Sequence, residues 1–114
     1  MGNCILSNRQ DYYRQPIYNI TSETYDKTPD TVRLTYIPQF NRTMLFVATA
    51  TSTSSSTTES IALQVNSDSY TFVDGVSGAV TQLVGNYYNQ SIKLHTKRSN
   101  EGGYAKWNLQ IYLI

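Results

Sequence analysis

Apolar and polar residues alternate along much of the chain after residue 30. The alternation is clearest over 31–36, 61–65, 92–96 and 107–113. Successive side chains of a strand point to opposite faces of a sheet, so this period of two predicts half-buried strands. Nowhere do apolar residues recur at helical spacing over a dozen positions. The pattern therefore predicts an all-β protein, and about seven or eight short strands fit an antiparallel β-sandwich, either jelly-roll or immunoglobulin-like.

The segments between these strands show other patterns. Residues 44–51 form a more continuous apolar run, Met-Leu-Phe-Val-Ala-Thr-Ala-Thr, which is typical of a central strand covered on both faces. Residues 51–58 are nearly all Ser and Thr, which predicts an exposed loop or strand extension. Residues 79–84 fit a strand or one short helical piece, and we favour the strand.

Turn residues predict two hairpins. Residues 66–69 should join the strand at 61–65 to a return strand that begins at Tyr70 and Phe72. The turn at 99–103 predicts a closing hairpin between 92–96 and 107–113.

Residues 1–30 differ from the rest, because they are polar, rich in tyrosine and interrupted by Pro16 and Pro29. Proline cannot donate to a sheet ladder, so any strand here should be short and peripheral. The sequence therefore predicts an N-terminal arm or edge segment over 1–30, followed by one β-sandwich domain over 31–114.

Charge and cysteine content exclude several classes of protein. Nine basic and eight acidic residues give a net charge of +1, without a long basic run, so nucleic acid is not an expected partner. No apolar stretch approaches the ~20 residues of a membrane span, and no signal peptide is recognisable. The single cysteine, Cys4, excludes an internal disulfide framework. Lipidation at Gly2 or Cys4, and glycosylation at Asn19, Asn41 or Asn89, stay open.

The sequence offers little material for catalysis. His95 is the only histidine, and by alternation it should point away from the core, towards solvent or an edge. The nearby basic cluster of Lys93, Lys97 and Arg98 is expected to be a solvated edge face. The carboxylates are isolated, so no acid and base pair can be nominated. We therefore predict no catalytic residue, no cofactor and no metal site, and a protein that is not an enzyme.

Tyrosine is the best candidate for binding, because it combines a large rigid contact area with a polar tip. The candidate ligand-binding residues are Tyr87, Tyr88, Tyr104 and Trp107. Tyr87 and Tyr88 are adjacent, so on a strand only one of them can be buried. The alternative is that these rings simply fill a small core and its rim.

The closing stretch at 104–114, Tyr-Ala-Lys-Trp-Asn-Leu-Gln-Ile-Tyr-Leu-Ile, is predicted to form a terminal strand. With their Ser, Thr, Asn and Tyr content, residues 31–114 resemble small all-β accessory proteins of bacteriophage virions, of the head-decoration, collar or fibre type. The resemblance implies a structural or attachment role on a capsid, collar or tail, in repeated copies, with the N-terminal segment as an anchoring arm.

The expected partners follow from this resemblance. They are the chain itself, as a homo-oligomer, a virion scaffold protein and a host-surface glycan, and the expected location is the virion, or the host cytoplasm before assembly. The alternative function is a carbohydrate-binding module that uses exposed Tyr and Trp side chains to stack on sugars. An exposed Trp107 would favour that alternative, whereas a buried Trp107 would remove its best anchor.

Overall fold

The computed structural model describes residues 15–22, 29–100 and 103–114, and these residues form eight β-strands. The strands are β1 (Tyr18–Thr21), β2 (Thr31–Tyr36), β3 (Met44–Ser52), β4 (Thr58–Val65), β5 (Val73–Val76), β6 (Gly78–Gly85), β7 (Ile92–Arg98) and β8 (Ala105–Leu113). Gly2 and Cys4 lie outside the described residues. Within the described ranges there is no helix long and apolar enough to cross a membrane.

The strands form two four-stranded antiparallel sheets. Sheet A has the order β1-β8-β3-β6, and sheet B has the order β2-β7-β4-β5. β4 pairs with β5, β3 with β6, β2 with β7 and β1 with β8. The chain is therefore one long antiparallel hairpin rolled into two sheets, which is a jelly roll. The predicted antiparallel sandwich is confirmed, and the strand order is that of its jelly-roll alternative.

The hydrophobic core lies between the two sheets. Alternate residues of β3 and β8 contribute most of it from sheet A, and Ile61, Ile92 and Leu94 face them from sheet B. The inward side chains of the two sheet A strands are Met44, Phe46, Ala48, Ala50, Trp107, Leu109, Ile111 and Leu113, all 8% exposed or less. Each large apolar side chain buried in this way contributes about 1.5–3 kcal/mol.

β1 lies within the segment that was predicted as an arm or edge. It pairs with β8 at the edge of sheet A, from Tyr18 opposite Ile111 to Thr21 opposite Asn108. The sandwich therefore includes residues before the predicted boundary at 31. The remainder of the predicted arm, residues 1–14 and 23–28, lies outside the described residues.

The predicted closing hairpin is wrong. β7 lies in sheet B and β8 in sheet A, so the turn between them crosses from one sheet to the other. Turn residues favour a chain reversal without specifying whether the two strands pair. The other predicted hairpin exists as the β4–β5 pair, but its return strand begins at Val73, and Tyr70 and Phe72 precede it.

Two predicted burial patterns are also corrected. The register of β2 shifts between Val32 and Leu34, which turns Val32 outward and leaves it 47% exposed. β3 is central in its sheet, but only one of its faces meets the core, and the side chains of Leu45 and Val47 on the other face are half-buried. The strand favoured over 79–84 is confirmed as β6.

Candidate assembly surface

The outer face of sheet A carries aliphatic side chains and almost no charge. On β3, Leu45 and Val47 point away from the core, and the residues opposite them on β6 are Val84 and Gln82. Val84 is 55% exposed, and Val80, on the same face of β6, is 53% exposed. We call Leu45, Val47, Val80 and Val84 the outer patch. Contiguous apolar patches on a protein surface mark contacts with other molecules.

Charge is nearly absent from this face. Among the strand residues of sheet A that point outward, Lys106 is the one charged side chain, and it lies on β8 opposite Thr51 of β3. The remaining outward positions of β8 are amide and hydroxyl side chains, such as Asn108 and Gln110. A second uncharged surface can therefore approach without burying an unpaired charge.

β6 is the outer strand of sheet A and is unusually unprotected. It has eight residues, Gly-Ala-Val-Thr-Gln-Leu-Val-Gly, without charge or proline, and it pairs with β3 without a bulge. Natural edge strands are normally kept from pairing by charge, proline, bulges or short length. β6 lacks these features, so it can accept a further strand.

The other three sheet edges each show a protective feature. β1 and β5 have only four residues each, and β5 contains Asp74. β2 has the register shift beside Arg33. The start of β6 is also covered, because a Cβ atom at Gly75 of β5 would lie 1.9 Å from the carbonyl oxygen of Gly78. The edge of the described sandwich that lacks such features is therefore the later part of β6.

The predicted ligand-binding residues are placed differently from one another. Trp107 is 8% exposed and belongs to the core, where it lies opposite Ala50 on β3. Tyr87 packs edge-on against Phe46, with ring centroids 6.1 Å apart. Tyr88 is 44% exposed. Tyr87 is therefore half-buried against the core and Tyr88 is exposed, but neither lies on a strand, because both follow the end of β6.

Tyr104, the fourth residue of the set, lies far from the tyrosine pair. It is 72% exposed, and its backbone N–H donates to the hydroxyl of Thr53, beyond the end of β3. Tyr87 and Tyr88 follow β6 at the opposite end of the same sheet. β3 has nine residues, so these ends are about 26 Å apart. The structure does not bring the four residues together into one surface.

His95 points to the outer face of sheet B, away from Leu94 and the core, as alternation predicted. Its predicted exposure is wrong, because the side chain is only 7% exposed. The ring of Tyr70 stacks on the imidazole, with ring centroids 4.1 Å apart, and the ring of Phe72 meets the imidazole edge-on, with centroids 6.4 Å apart. The connection between β4 and β5 therefore folds back over this part of sheet B.

A hydrogen-bond network fixes the imidazole. Nδ1 of His95 lies 2.7 Å from Oδ1 of Asp30, and Nε2 lies 2.7 Å from Oε1 of Gln64. The Gln64 amide nitrogen donates to the carbonyl oxygen of Asp68, which orients the amide oxygen towards the imidazole.

Asp30 is the centre of this network, since it also accepts a hydrogen bond from the Tyr70 hydroxyl. Partial burial raises the pKa of Asp30, but the hydrogen bonds from Tyr70 and His95 outweigh it, so this pKa lies below its ordinary value. The bond to the carboxylate raises the pKa of Tyr70. We call His95, Asp30, Tyr70 and Gln64 the latch, because they join the segment before β2 and the β4–β5 connection to sheet B.

The basic cluster predicted around His95 is not a solvated edge. β7 lies between β2 and β4 inside sheet B. Arg98 is buried, with its Nε 2.8 Å from Oε2 of Glu59, and both side chains are 1% exposed or less. Lys97 is exposed, and its amine lies 4.5 Å from the ring centre of Phe72. Alternation along β7 directs Arg98 inward and Lys97 outward.

An open groove of about 400 Å³ is lined by residues of β4, β5 and the end of β7, namely Thr58, Ser60, Asp74, Lys97, Arg98 and Ser99. The Ser60 hydroxyl donates to Asp74 at 2.5 Å. Across the described ranges, no three His, Cys, Asp or Glu side chains lie together in a way that could hold a metal ion.

Sequence reasoning missed the two features that make the outer face of sheet A a candidate surface. The absence of charge from 78–85 was visible, but whether that strand lay at an edge was not. The apolar run at 44–51 indicated two covered faces, and one of those faces is open in the single chain.

Neither a family model nor any curated protein matches this chain.

Proposed function

We propose that the chain is a non-catalytic structural or attachment protein that assembles with other protein chains through its edge strands and its N-terminal segment. The observation that carries this proposal is the unprotected later part of the β6 edge, residues 80–85, which carries no charge and no proline. Proteins that work alone rarely retain such an edge, because it invites pairing with other chains.

The outer patch supports the same proposal. It adjoins the free edge, so a partner strand on β6 would also cover exposed aliphatic side chains such as Val80 and Val84. The burial of Trp107 weighs against the sugar-binding alternative, because a buried ring cannot stack on a sugar. The distance between Tyr88 and Tyr104 removes a shared tyrosine platform as well.

We further propose that the assembly is a virion part, such as a capsid, collar or tail component. Jelly rolls occur in viral capsid proteins and in lectins, so the fold is compatible with this role without selecting it. The resemblance of residues 31–114 to virion accessory proteins favours the virion.

Light scattering tests the assembly part of the proposal. The full chain should exceed its monomer mass of 12.9 kDa as its concentration rises. A second chain that lacks residues 1–14 measures the contribution of the N-terminal segment. Removal of this segment should lower the average mass measured at a given concentration. Both chains remaining at the monomer mass at every concentration would contradict self-assembly.

Sedimentation tests the virion part separately. An antibody to the chain should detect it in purified particles from a culture that produces it, at a constant ratio to the other particle proteins across a density gradient. If the chain stays in the supernatant when particles sediment, the virion assignment is wrong even if the chain self-assembles.

A further inference from the structure

We propose that the partner of β6 is the same strand in a second copy of the chain, paired antiparallel in a register centred on Gln82. This inference rests on the proposed assembly function and names its partner and geometry. It makes sheet A of each copy half of one eight-stranded sheet across a two-fold axis.

The choice of a second copy follows from the composition of the edge. Opposite charges on β6 would select a different, complementary strand, and like charges would repel a second copy. β6 has neither, so two copies can lie side by side without a repulsive pair. Next to β6, the outward residues of β3 from Leu45 to Thr49 are also uncharged.

The register follows from the alternation along β6. Val80, Gln82 and Val84 point outward, whereas Thr81 and Leu83 point towards the core. In a continuous sheet outward residues lie opposite outward residues. The two-fold axis must therefore lie midway between two copies of the same residue, so that this residue is opposite itself. The region before Val80 is covered by β5, which leaves 80–85 for pairing.

A register centred on Gln82 matches the aliphatic side chains best. It places Val80 opposite Val84 of the second copy and Gln82 opposite itself. A register centred on Thr81 would instead place Val84 opposite Gly78, at the covered start of the strand. The Gln82 register forms two valine pairs on the outer face, each adjoining Leu45 of one copy, and joins the two outer patches.

Such an interface is small, because it consists of one strand and the neighbouring outer patch. Stable interfaces bury about 1,200–2,000 Å², and smaller ones are weak or transient. We therefore expect a dimer whose population depends on concentration. This suits a subunit that is held in place by many repeated contacts.

Cysteine cross-linking tests the register, in a chain whose native Cys4 is replaced by serine. Gln82→Cys should form a disulfide-linked dimer under mild oxidation, since residues directly opposite have Cβ atoms about 4.5–5.5 Å apart. Val80→Cys and Val84→Cys should each cross-link poorly alone, because like positions lie about 13 Å apart in this register. A mixture of those two variants should cross-link.

A charge variant tests the same axis without a covalent bond. Gln82→Lys places two ammonium groups opposite each other and should weaken dimerisation at least tenfold. Gln110→Lys, on the same outer face but on β8, is the matched control and should leave the dimer unchanged. Circular dichroism and thermal unfolding check that both variants fold.

The outcomes separate this inference from the proposed function. An oligomer that persists in Gln82→Lys, with no Gln82→Cys cross-link, would overturn the β6 pairing while leaving assembly standing. A chain that is monomeric at every concentration and never cross-links would overturn the β6 pairing and self-assembly, whereas the sedimentation experiment still decides the virion assignment. Cross-linking of Val80→Cys alone, as efficient as that of the mixture, would show that the register is wrong.

Discussion

The buried ion pair between Glu59 and Arg98 gives the sharpest stability prediction. The two residues lie directly opposite each other on β4 and β7, and their side chains are 0% and 1% exposed. Arg98→Met removes the positive charge and leaves the Glu59 carboxylate in the interior. Breaking a buried pair in this way costs about 3–5 kcal/mol, a large part of the about 5–15 kcal/mol that stabilises a typical domain.

Replacing both partners should cost much less. In Glu59→Leu with Arg98→Met the buried carboxylate is removed together with the guanidinium that pairs with it, and apolar side chains of similar size fill the space. Exchanges of this kind are often neutral or stabilising. We therefore expect the double variant to recover most of the stability that Arg98→Met loses, so that the two substitutions are strongly non-additive.

Urea unfolding, followed by circular dichroism, measures this cycle at a concentration where the chain is monomeric. With a urea dependence of about 1–3 kcal/mol per molar, Arg98→Met should lower the midpoint by at least about 1 M. A loss below about 1 kcal/mol would mean that the pair behaves like a solvent-exposed one and that our reasoning from burial is wrong. Equal losses in the single and double variants would show that packing, not charge, determines the effect.

The latch and the core give further predictions. The folded-state pKa of Asp30 lies below its ordinary value. The ionised carboxylate therefore stabilises the fold at pH values above the unfolded-state pKa of about 4. This contribution is lost as the pH falls through the lower folded-state pKa. Asp30→Asn should therefore lower the urea midpoint near neutral pH and match the wild type in strong acid; an equal deficit at both pH values would contradict this role. Leu109 is 1% exposed, so Leu109→Ala should lower the free energy of unfolding by about 2–5 kcal/mol. Lys106→Ala, on the exposed face of β8, should change this free energy by less than about 0.5 kcal/mol in the same urea assay.

The strands were predictable because each carries its own periodic pattern. Alternation identified β4, β7 and β8 directly, since apolar residues at every second position need a core on one side only. The pairing of strands was not predictable in the same way. Whether β7 and β8 form a hairpin or cross between sheets depends on contacts with β1, β2, β3 and β4, which are distant in sequence.

The buried polar groups show the same limit. Alternation gave the direction of His95, but its burial depends on Tyr70 folding back from a connection about two dozen residues earlier, and on Asp30 far upstream. The same alternation, continued from Ile92 and Leu94, places Arg98 on the core side, but the sequence interpretation assigned Arg98 to a solvated basic cluster with Lys93 and Lys97. What the sequence lacked was the partner, because Glu59 lies opposite Arg98 only through the pairing of β4 with β7.

The two outer faces of the sandwich differ in how far the chain itself covers them. On sheet B, the chain covers part of the face itself, since the β4–β5 connection places Tyr70 and Phe72 over His95. On the β3–β6 side of sheet A, no described segment does so, and Val80 and Val84 stay more than half exposed. β3 reads from its sequence as a strand covered on both faces, and its outer face is open in the single chain; the proposed pairing of β6 extends this face sideways and does not cover Leu45 and Val47.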